Sequence, residues 1–193
     1  MSVAIPNQVA LSVASMIDLT DKDLDTLKYI RLDFHSNQLT AYATDRYVLA
    51  KAVYELDEPT EEFSAFLDKQ AVKFIRDNSK DTNQFHITNT LVQTDSGHTY
   101  PLLNDGSRLP KPDLDSIIVK AQLVESKEQQ SVSMNLKLIE RVNKLLTPAQ
   151  ANLTPARRNS DWTMTVAGIK DPIVFTEPSN TFIALAQPKL RRA

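Results

Sequence analysis

Residues Ala41–Ala50 read AYATDRYVLA. The flanks, Leu39–Ala43 and Tyr47–Tyr54, are rich in apolar and aromatic side chains and read as strands. Between them, Asp45 reads as a turn residue whose carboxylate bonds nearby backbone. A lone carboxylate can also serve catalysis, but no partner is positioned for it here. The decisive stretch is therefore strand, tight turn, strand.

Working outward, the same grammar recurs. Upstream, Asn7–Asp18 place Val9, Val13, Met16 and Ile17 on one helical stripe. Ile30, Leu32 and Phe34 then alternate with Tyr29, Arg31 and Asp33 as a half-buried strand. Helix and strands make a first unit, from about Ser2 to Leu56. A second runs from about Glu62 to Leu114. Phe63–Leu67 is a short strand, Asp68 an N-cap, and Lys69–Asn78 a helix with Val72 and Ile75 inward. Strands follow at Gln84–Thr88, Thr90–Thr94 and His98–Leu103. A third unit spans about Ser116 to Leu190. It has strands at Ile117–Leu123 and Ser131–Met134, then a helix from its cap Asn135 to about Leu146, with Leu138, Val142 and Leu145 on one side. Strands at Asp161–Val166, Pro172–Phe175 and Thr181–Ala186 close it. Thr147–Ser160 is a polar, proline-containing loop, the expected mobile segment. Identity between the units is negligible, so the repeat is one of architecture.

Composition narrows the function. The 193 residues suffice for one large or two small domains, with 41% hydrophobic and 24% charged side chains. Cysteine is absent, which excludes disulfides and thiolate metal sites and makes the cytoplasm the default compartment. No apolar run is long enough to span a membrane. Met1–Leu11 has no basic residue ahead of an apolar stretch and does not read as a secretory signal. Three glycines, unclustered, leave no phosphate-cradling loop. The net charge of −2 argues against a tight operator-type DNA binder, though not against positive charge gathered on one face.

Such faces are visible. Lys69, Lys73, Arg76 and Lys80 are spaced four, three and four apart and share one side of the second helix. Lys137, Arg141 and Lys144 do the same on the third. The first helix offers Gln8, Ser12 and Ser15 at that spacing, polar but uncharged. Charged outer faces are routine on helices, so one says little. Two of one sign, with Asp77 and Glu140 outside the stripes, suit phosphate oxygens and carry no sequence information. Arg157 and Arg158 on the loop are further candidate phosphate contacts.

AYATDRYVLA resembles the bacterial DNA sliding clamp, in which a strand ends in Ala-Thr-Asp and the next begins with Leu-Ala after a few variable residues. The likeness extends to YIRLDFHSNQL (29–39), to YPLLNDGSRLPKPDLDSII (100–118) around its Pro-Asp, and to the final strand and tail TFIALAQPKL (181–190). It implies an α+β clamp fold of repeated β-α-β-β-β units, sheets outside and helices lining the inner face. Residues 1–117 would match the whole middle domain of a clamp, and 118–193 the last half of its C-terminal domain. It also implies a non-enzymatic, homo-oligomeric ring around duplex DNA that tethers a polymerase and other replication or repair proteins. Their short hydrophobic peptide would enter a groove walled by Thr44, Arg46, Tyr47, Leu49, Pro112, Leu185, Gln187, Pro188 and Leu190. Two departures bear on partner specificity. The family usually has Gly-His-Arg where Arg46, Tyr47 and Val48 stand, and the tail lacks its methionines and extends with Arg191 and Arg192.

Clamp rings resemble one another in using twelve helix-and-strand units. Three units per chain then predict a tetramer, with a trimer as the alternative if the third segment is a compressed pair. A trimmed replication protein suits a phage. The competing reading is a clamp-like adaptor or inhibitor that binds clamp clients or a host clamp without forming a ring; an enzyme with an unrecognised site ranks third. No cofactor or metal is implied. Asp21, Asp23 and Asp25 alternate as a calcium loop begins, but Thr26 and Leu32 stand where that loop needs Gly and Glu. His35, His86 and His98 lack ligand spacing. No nucleophile elbow or Ser-His-Asp order appears, and Trp162 reads as a core residue.

Overall fold

The strands that flank the Thr44–Asp45 turn are longer than their apolar runs suggest. The computed structural model describes residues 2–21, 23–102, 111–122, 139–140, 142, 163–166, 172–176 and 182–186. In chain order the elements are β1 (Val3–Pro6), α1 (Asn7–Ser15), β2 (Ile30–Thr44), β3 (Val48–Leu67), α2 (Lys69–Asn78), β4 (Gln84–Ile87), β5 (Leu91–Thr94), β6 (Thr99–Pro101), α3 (Lys111–Gln122), β7 (Thr163–Val166), β8 (Ile173–Thr176) and β9 (Phe182–Ala186). Short 3₁₀ turns at Met16–Leu19 and Asp25–Leu27 link α1 to β2.

The strands expected separately at Ile30–Phe34 and Leu39–Ala43 are one strand, β2, and those at Tyr47–Tyr54 and Phe63–Leu67 are likewise one, β3. The polar breaks between them are bulges. Register slips between Phe34 and Ser36 and between Ser36 and Gln38, and Ser36 takes a positive φ of 53°. Opposite, pairing jumps from Gln38↔Glu55 to Ser36↔Thr60, so the extra residues lie on β3 and the ladder resumes beyond them. Leu56 in this irregular stretch is buried in the core.

Two antiparallel sheets result. One has the order β1-β4-β5-β6, the other β2-β3-β9-β8-β7. β1 has no counterpart among the expected strands. Its Val3 and Ile5 are buried while Ala4 and Pro6 are exposed, and as an edge strand it tolerates the proline. The β3–β9 pairing joins the first unit to the third in one sheet.

α2 forms as its sequence dictates. The Asp68 carboxylate accepts from the Ala71 N–H at 2.7 Å, capping the helix, and Ala71, Val72 and Ile75 face inward. α1 ends a turn earlier than its apolar stripe, which continues into the 3₁₀ turn through buried Met16 and Leu19. Both helices close on one core with Leu32, Phe34, Leu67, Phe85 and Ile87, and Val142, Ile173 and Phe175 of the third segment join it. Phe34 stacks on Phe63 at 4.5 Å between ring centroids. Of the third helix, 139–140 and 142 are described, and Val142 faces the core as its spacing predicts.

Where the expected strand Ile117–Leu123 is described, over 117–122, it is instead helix, as α3. Three consecutive β-branched residues suggested a strand, but only the middle one, Ile118, is buried; Ile117 and Val119 are exposed. Helical spacing puts Asp115 and Ile118 on one face, one turn apart. The strand at Ser131–Met134, the loop Thr147–Ser160 and Trp162 lie outside the described residues.

Candidate functional site

Asp45 is buried and holds the β2–β3 turn together. Its Oδ1 accepts the N–H groups of Tyr47 at 3.0 Å and Val48 at 2.8 Å, while its own N–H donates to the Val48 carbonyl at 3.2 Å. The Thr44 hydroxyl accepts from the Arg46 N–H at 3.2 Å. Inside this loop Arg46 sits at φ 77°, left-handed backbone that glycine adopts freely and other residues enter at a cost of about 1–2 kcal/mol. Its side chain is pinned in return: Nε lies 2.7 Å from Asp21 Oδ2, and the guanidinium lies 5.9 Å from the Tyr47 ring centroid. The Arg46→Gly variant is therefore expected to be more stable than Arg46→Ala by about 1 kcal/mol. Both lose the ion pair, and only glycine is relieved of the backbone strain. Urea unfolding of the two variants checks this.

The turn is also tied to pH. The Asp21 carboxyl is held below its ordinary 3.8, chiefly by the Asp23 N–H and further by the Leu24 N–H and Arg46, against the opposing effect of burial. Asp95 behaves similarly. Burial would raise it, but the N–H groups of Asn83 and Gln84, with Thr82 and His86, outweigh that and lower it. A depressed folded-state pKa contributes stability that is fully present above the unfolded value and lost as pH falls through the folded one. Stability is therefore expected to decline below about pH 4 through these two groups. An Asp21→Asn/Asp95→Asn variant should show a shallower decline in urea midpoint over that range.

Strand register gathers the predicted groove. Side chains alternate across the five-stranded sheet, so Ala43, Ala50, Ala184 and Phe175 enter the main core while their neighbours face the other way. On that outer face Thr44 pairs with Leu49, Leu49 with Leu185, and Leu185 with Val174 in one row. The next row is Tyr42, Lys51, Ile183 and Thr176. α3 lies over both. Ile118 is buried with Tyr42, Leu49, Val174 and Leu185. Asp115 Oδ1 accepts from the Tyr42 hydroxyl at 2.7 Å and from Lys51 Nζ at 3.0 Å. Burial, then this bond to Asp115, holds the Tyr42 phenol protonated far above its usual range.

Of the predicted groove residues, Thr44, Leu49 and Leu185 thus share a row and are buried, while Arg46 and Tyr47 stand at its end, Tyr47 being 53% exposed. Pro112 falls in the first turn of α3. Gln187, Pro188 and Leu190 lie outside the described residues. Sequence reasoning missed Tyr42, Lys51, Asp115 and Ile118. A helical reading of 111–122 would have put the last two on one face; the strand reading hid them.

On the other side of the molecule, Lys69, Lys73 and Arg76 are exposed on α2, as their spacing predicts, while Lys80, expected on the same helix face, is exposed in the turn beyond the helix end at Asn78. One is engaged: Arg76 Nη2 donates to the Ala14 carbonyl at 3.1 Å, near the C-terminal end of α1, where the helix dipole favours a cation. The neighbouring α1 departs from the expected polar stripe. Ser12 is buried, its hydroxyl 2.6 Å from that of Tyr54, and only Gln8 and Ser15 retain exposure. Lys137, Arg141, Lys144, Arg157 and Arg158 lie outside the described residues. Among the described residues no cluster of three His, Asp or Glu is placed to hold a metal, and no helix is long and apolar enough to cross a membrane.

This arrangement, two antiparallel sheets backed by helices with α+β units in series, is the DNA-clamp fold. Solved structures that it resembles include bacterial sliding clamps. The Bacillus subtilis DNA polymerase sliding clamp matches with a TM-score of 0.66 at 15% identity over 100% of this chain and 65% of that one. The DNA polymerase III beta subunit of Thermotoga maritima matches at 0.67 and 12%, over 100% of this chain and 66% of that one. A putative beta subunit from Eubacterium rectale ATCC 33656 matches at 0.65 and 13%, over 98% and 65%. The chain thus spans slightly less than two thirds of their length. No family model and no curated protein matches it. At these identities the likeness is one of fold.

Proposed function

We propose that the chain is a shortened DNA sliding clamp, a processivity factor that closes around duplex DNA as a homo-oligomeric ring and tethers a polymerase and other replication proteins. The observation that carries this reading is the exposed Lys69 and Lys73 on α2, with Lys80 in the turn that follows, set on a fold shared with sliding clamps. Cations on a rigid helix suit phosphates at any sequence. Lys137, Arg141, Lys144, Arg157 and Arg158 extend the DNA-facing surface, with Arg76 contributing from its place beside α1. The client peptide is placed at the exposed Arg46–Tyr47 end of the Thr44, Leu49 and Leu185 row, completed by Pro112, Gln187, Pro188 and Leu190. The clamp acts in the cytoplasm through topology and needs no catalytic centre.

On this reading the first two units form a whole clamp domain and the third a half domain, with α3 (Lys111–Gln122) running across the expected boundary between 117 and 118. Two half domains pair across a twofold contact, since an odd half leaves a sheet edge uncovered. Three units per chain then make twelve in a tetramer. Light scattering at micromolar concentration is expected to give four chains per particle, and loaded protein should stay on closed circular DNA but slide off linear DNA. Three chains per particle would favour the trimer. A monomer that persists with DNA present would overturn the ring and put the adaptor first, a reading to which the Arg46–Tyr47 turn and the covered Leu49–Leu185 row lend support.

A further inference from the structure

The third unit leaves its core open at one edge. A single row of side chains crosses the core face of the five-stranded sheet through Ala43, Ala50, Ala184, Phe175 and Met164. The three alanines are sealed and Phe175 is nearly so, but Met164 on β7 is 55% exposed. Thr163 and Thr165, on the other face of the same strand, are exposed too, so β7 is uncovered on both sides. The third helix shows the same shortfall: Ile139 is 39% exposed, three residues from the buried Val142. Among the described residues β7 is the end strand of its sheet, with β8 as its one neighbour. It carries none of the devices that protect an edge. Its Thr-Met-Thr-Val has neither charge nor proline, whereas both end strands of the other sheet carry a proline, Pro6 and Pro101.

The first two units show how such an edge is completed. Each begins with a strand that runs straight into a helix, and each gives that strand to the other unit. β1 precedes α1 and pairs with β4, the first strand after α2. Residues 63–67 of β3 precede α2 and pair with residues 30–34 of β2, the first strand after α1. The exchange is reciprocal, and the two helices meet, linked by Arg76 and the Ala14 carbonyl. On the receiving strands the core-facing Leu32, Phe85 and Ile87 are fully buried. Neither leading strand pairs with the receiving strand of its own unit. In the third unit β7 is the receiving strand. The leading strand expected from the sequence is 131–134, immediately before the third helix. Its Ser-Val-Ser-Met matches the Thr-Met-Thr-Val of β7, two apolar side chains for the core face and two hydroxyls for the other.

We propose that a second copy of this chain closes the open edge by strand exchange: residues 131–134 of each copy pair antiparallel with β7 of the other, which brings the two third helices together and covers Met164 and Ile139. The occupant is a second copy because a strand must be given and received at once. Both receiving strands of the first two units are already filled, by β1 and by residues 63–67. A twofold contact joins donor to acceptor twice with one surface. The inference rests on the proposed function only in taking the third unit as half a domain, and it needs neither DNA nor a ring. It adds the surface, which is the β7 edge, and the segment that meets it.

The test uses the full chain, which has no cysteine of its own. Ser133→Cys protein is mixed with Thr163→Cys or with Thr165→Cys protein and mildly oxidised. Antiparallel pairing with the hydroxyls on one face sets position 133 opposite 163 or 165, and facing cysteines on paired strands are within disulfide reach. One of the two mixtures should give a reducible dimer holding one chain of each kind. Ser133→Cys mixed with Asn89→Cys, in the exposed β4–β5 turn, should give none. By light scattering, Met164→Lys should raise the dissociation constant of the pair at least about tenfold. The separated chains should keep the parent's far-ultraviolet spectrum, because Met164 is exposed in the single chain already. No cross-link in either mixture, or a Ser133→Cys/Thr165→Cys chain that closes only on itself, would overturn the exchange, as would a Met164→Lys particle of unchanged mass. Should Met164→Lys fail to fold, the cross-links, which leave the core face untouched, decide alone. Failure here is separable from failure of the ring. A cross-linked dimer that is not retained on circular DNA keeps this contact and loses the ring. Protein retained on circular DNA without the cross-link does the reverse.

Discussion

The Lys69→Glu/Lys73→Glu/Lys80→Glu variant is expected to lose duplex DNA binding by a factor on the order of 10³ at low salt. Lys69 and Lys73 are exposed on a helix that is itself well anchored, with Ala71, Val72 and Ile75 buried beneath it, and Lys80 is exposed in the turn that follows. A rigid helix loses little freedom when its side chains meet phosphates, and each contact releases a counterion. The slope of log K against log salt should therefore shrink by about 0.9 for every phosphate contact removed. The loss should be the same for any duplex sequence, because phosphates carry none. Arg76 behaves differently. Its bond to the Ala14 carbonyl links α2 to the end of α1, so Arg76→Gln should lower thermal stability as well as DNA binding, and the triple lysine variant should lower DNA binding alone. Filter binding across a salt series, beside thermal melts, separates the two. A triple variant with the parent's affinity and salt slope would show that this face does not meet DNA.

The difference between the lysines and Arg76 marks how far the sequence can be read. α2 was legible in its cap at Asp68, its buried stripe and the exposed Lys69, Lys73 and Arg76, because every one of those signals acts within a few residues, whereas Lys80 falls in the turn past its end. The hairpin was half legible. Its apolar runs and its turn at Asp45 are local, but the polar residues at 35–38 and 55–62 read as breaks, when the structure uses them as bulges that let two strands run on. Ser12 was misread for a related reason. Its spacing with Gln8 and Ser15 is helical, yet whether it meets solvent depends on Tyr54, forty-two residues away. The groove shows the same limit more sharply. Thr44, Leu49 and Leu185 were expected in one wall, and register puts them in one row only because β3 pairs with β9. No short-range signal announces a partner more than a hundred residues distant. α3 failed on periodicity. Ile117–Val119 has the composition of a strand, and the burial of Ile118 alone, with Asp115 a turn behind it, is decided by the sheet it lies on.

The largest loss of stability among these variants is expected from Asp45→Ala, at about 3–4 kcal/mol. Two N–H groups, of Tyr47 and Val48, donate to one buried, charged oxygen, and hydrogen bonds to charged groups contribute about 1.5–3 kcal/mol each. Alanine leaves the Val48 N–H buried without its acceptor, a cost beyond the lost attraction. The loop cannot relax freely, because Arg46 already occupies left-handed backbone that the Asp45 carboxylate and the Asp21 ion pair help to hold. Asp45→Asn separates these causes. Its amide oxygen can accept the same two N–H groups, so it should recover more than half of the loss, with the remainder reflecting the charge. Urea unfolding of both variants measures the energies. The consequence for the groove is read separately, from the resonances of Tyr47, Leu49 and Leu185. If the turn sets their positions, all three should move in Asp45→Ala and return toward the parent in Asp45→Asn. A stability loss under about 1 kcal/mol in Asp45→Ala, or an asparagine variant no better than alanine, would mean that the hairpin is held by the β2–β3 and β3–β9 ladders and not by the turn.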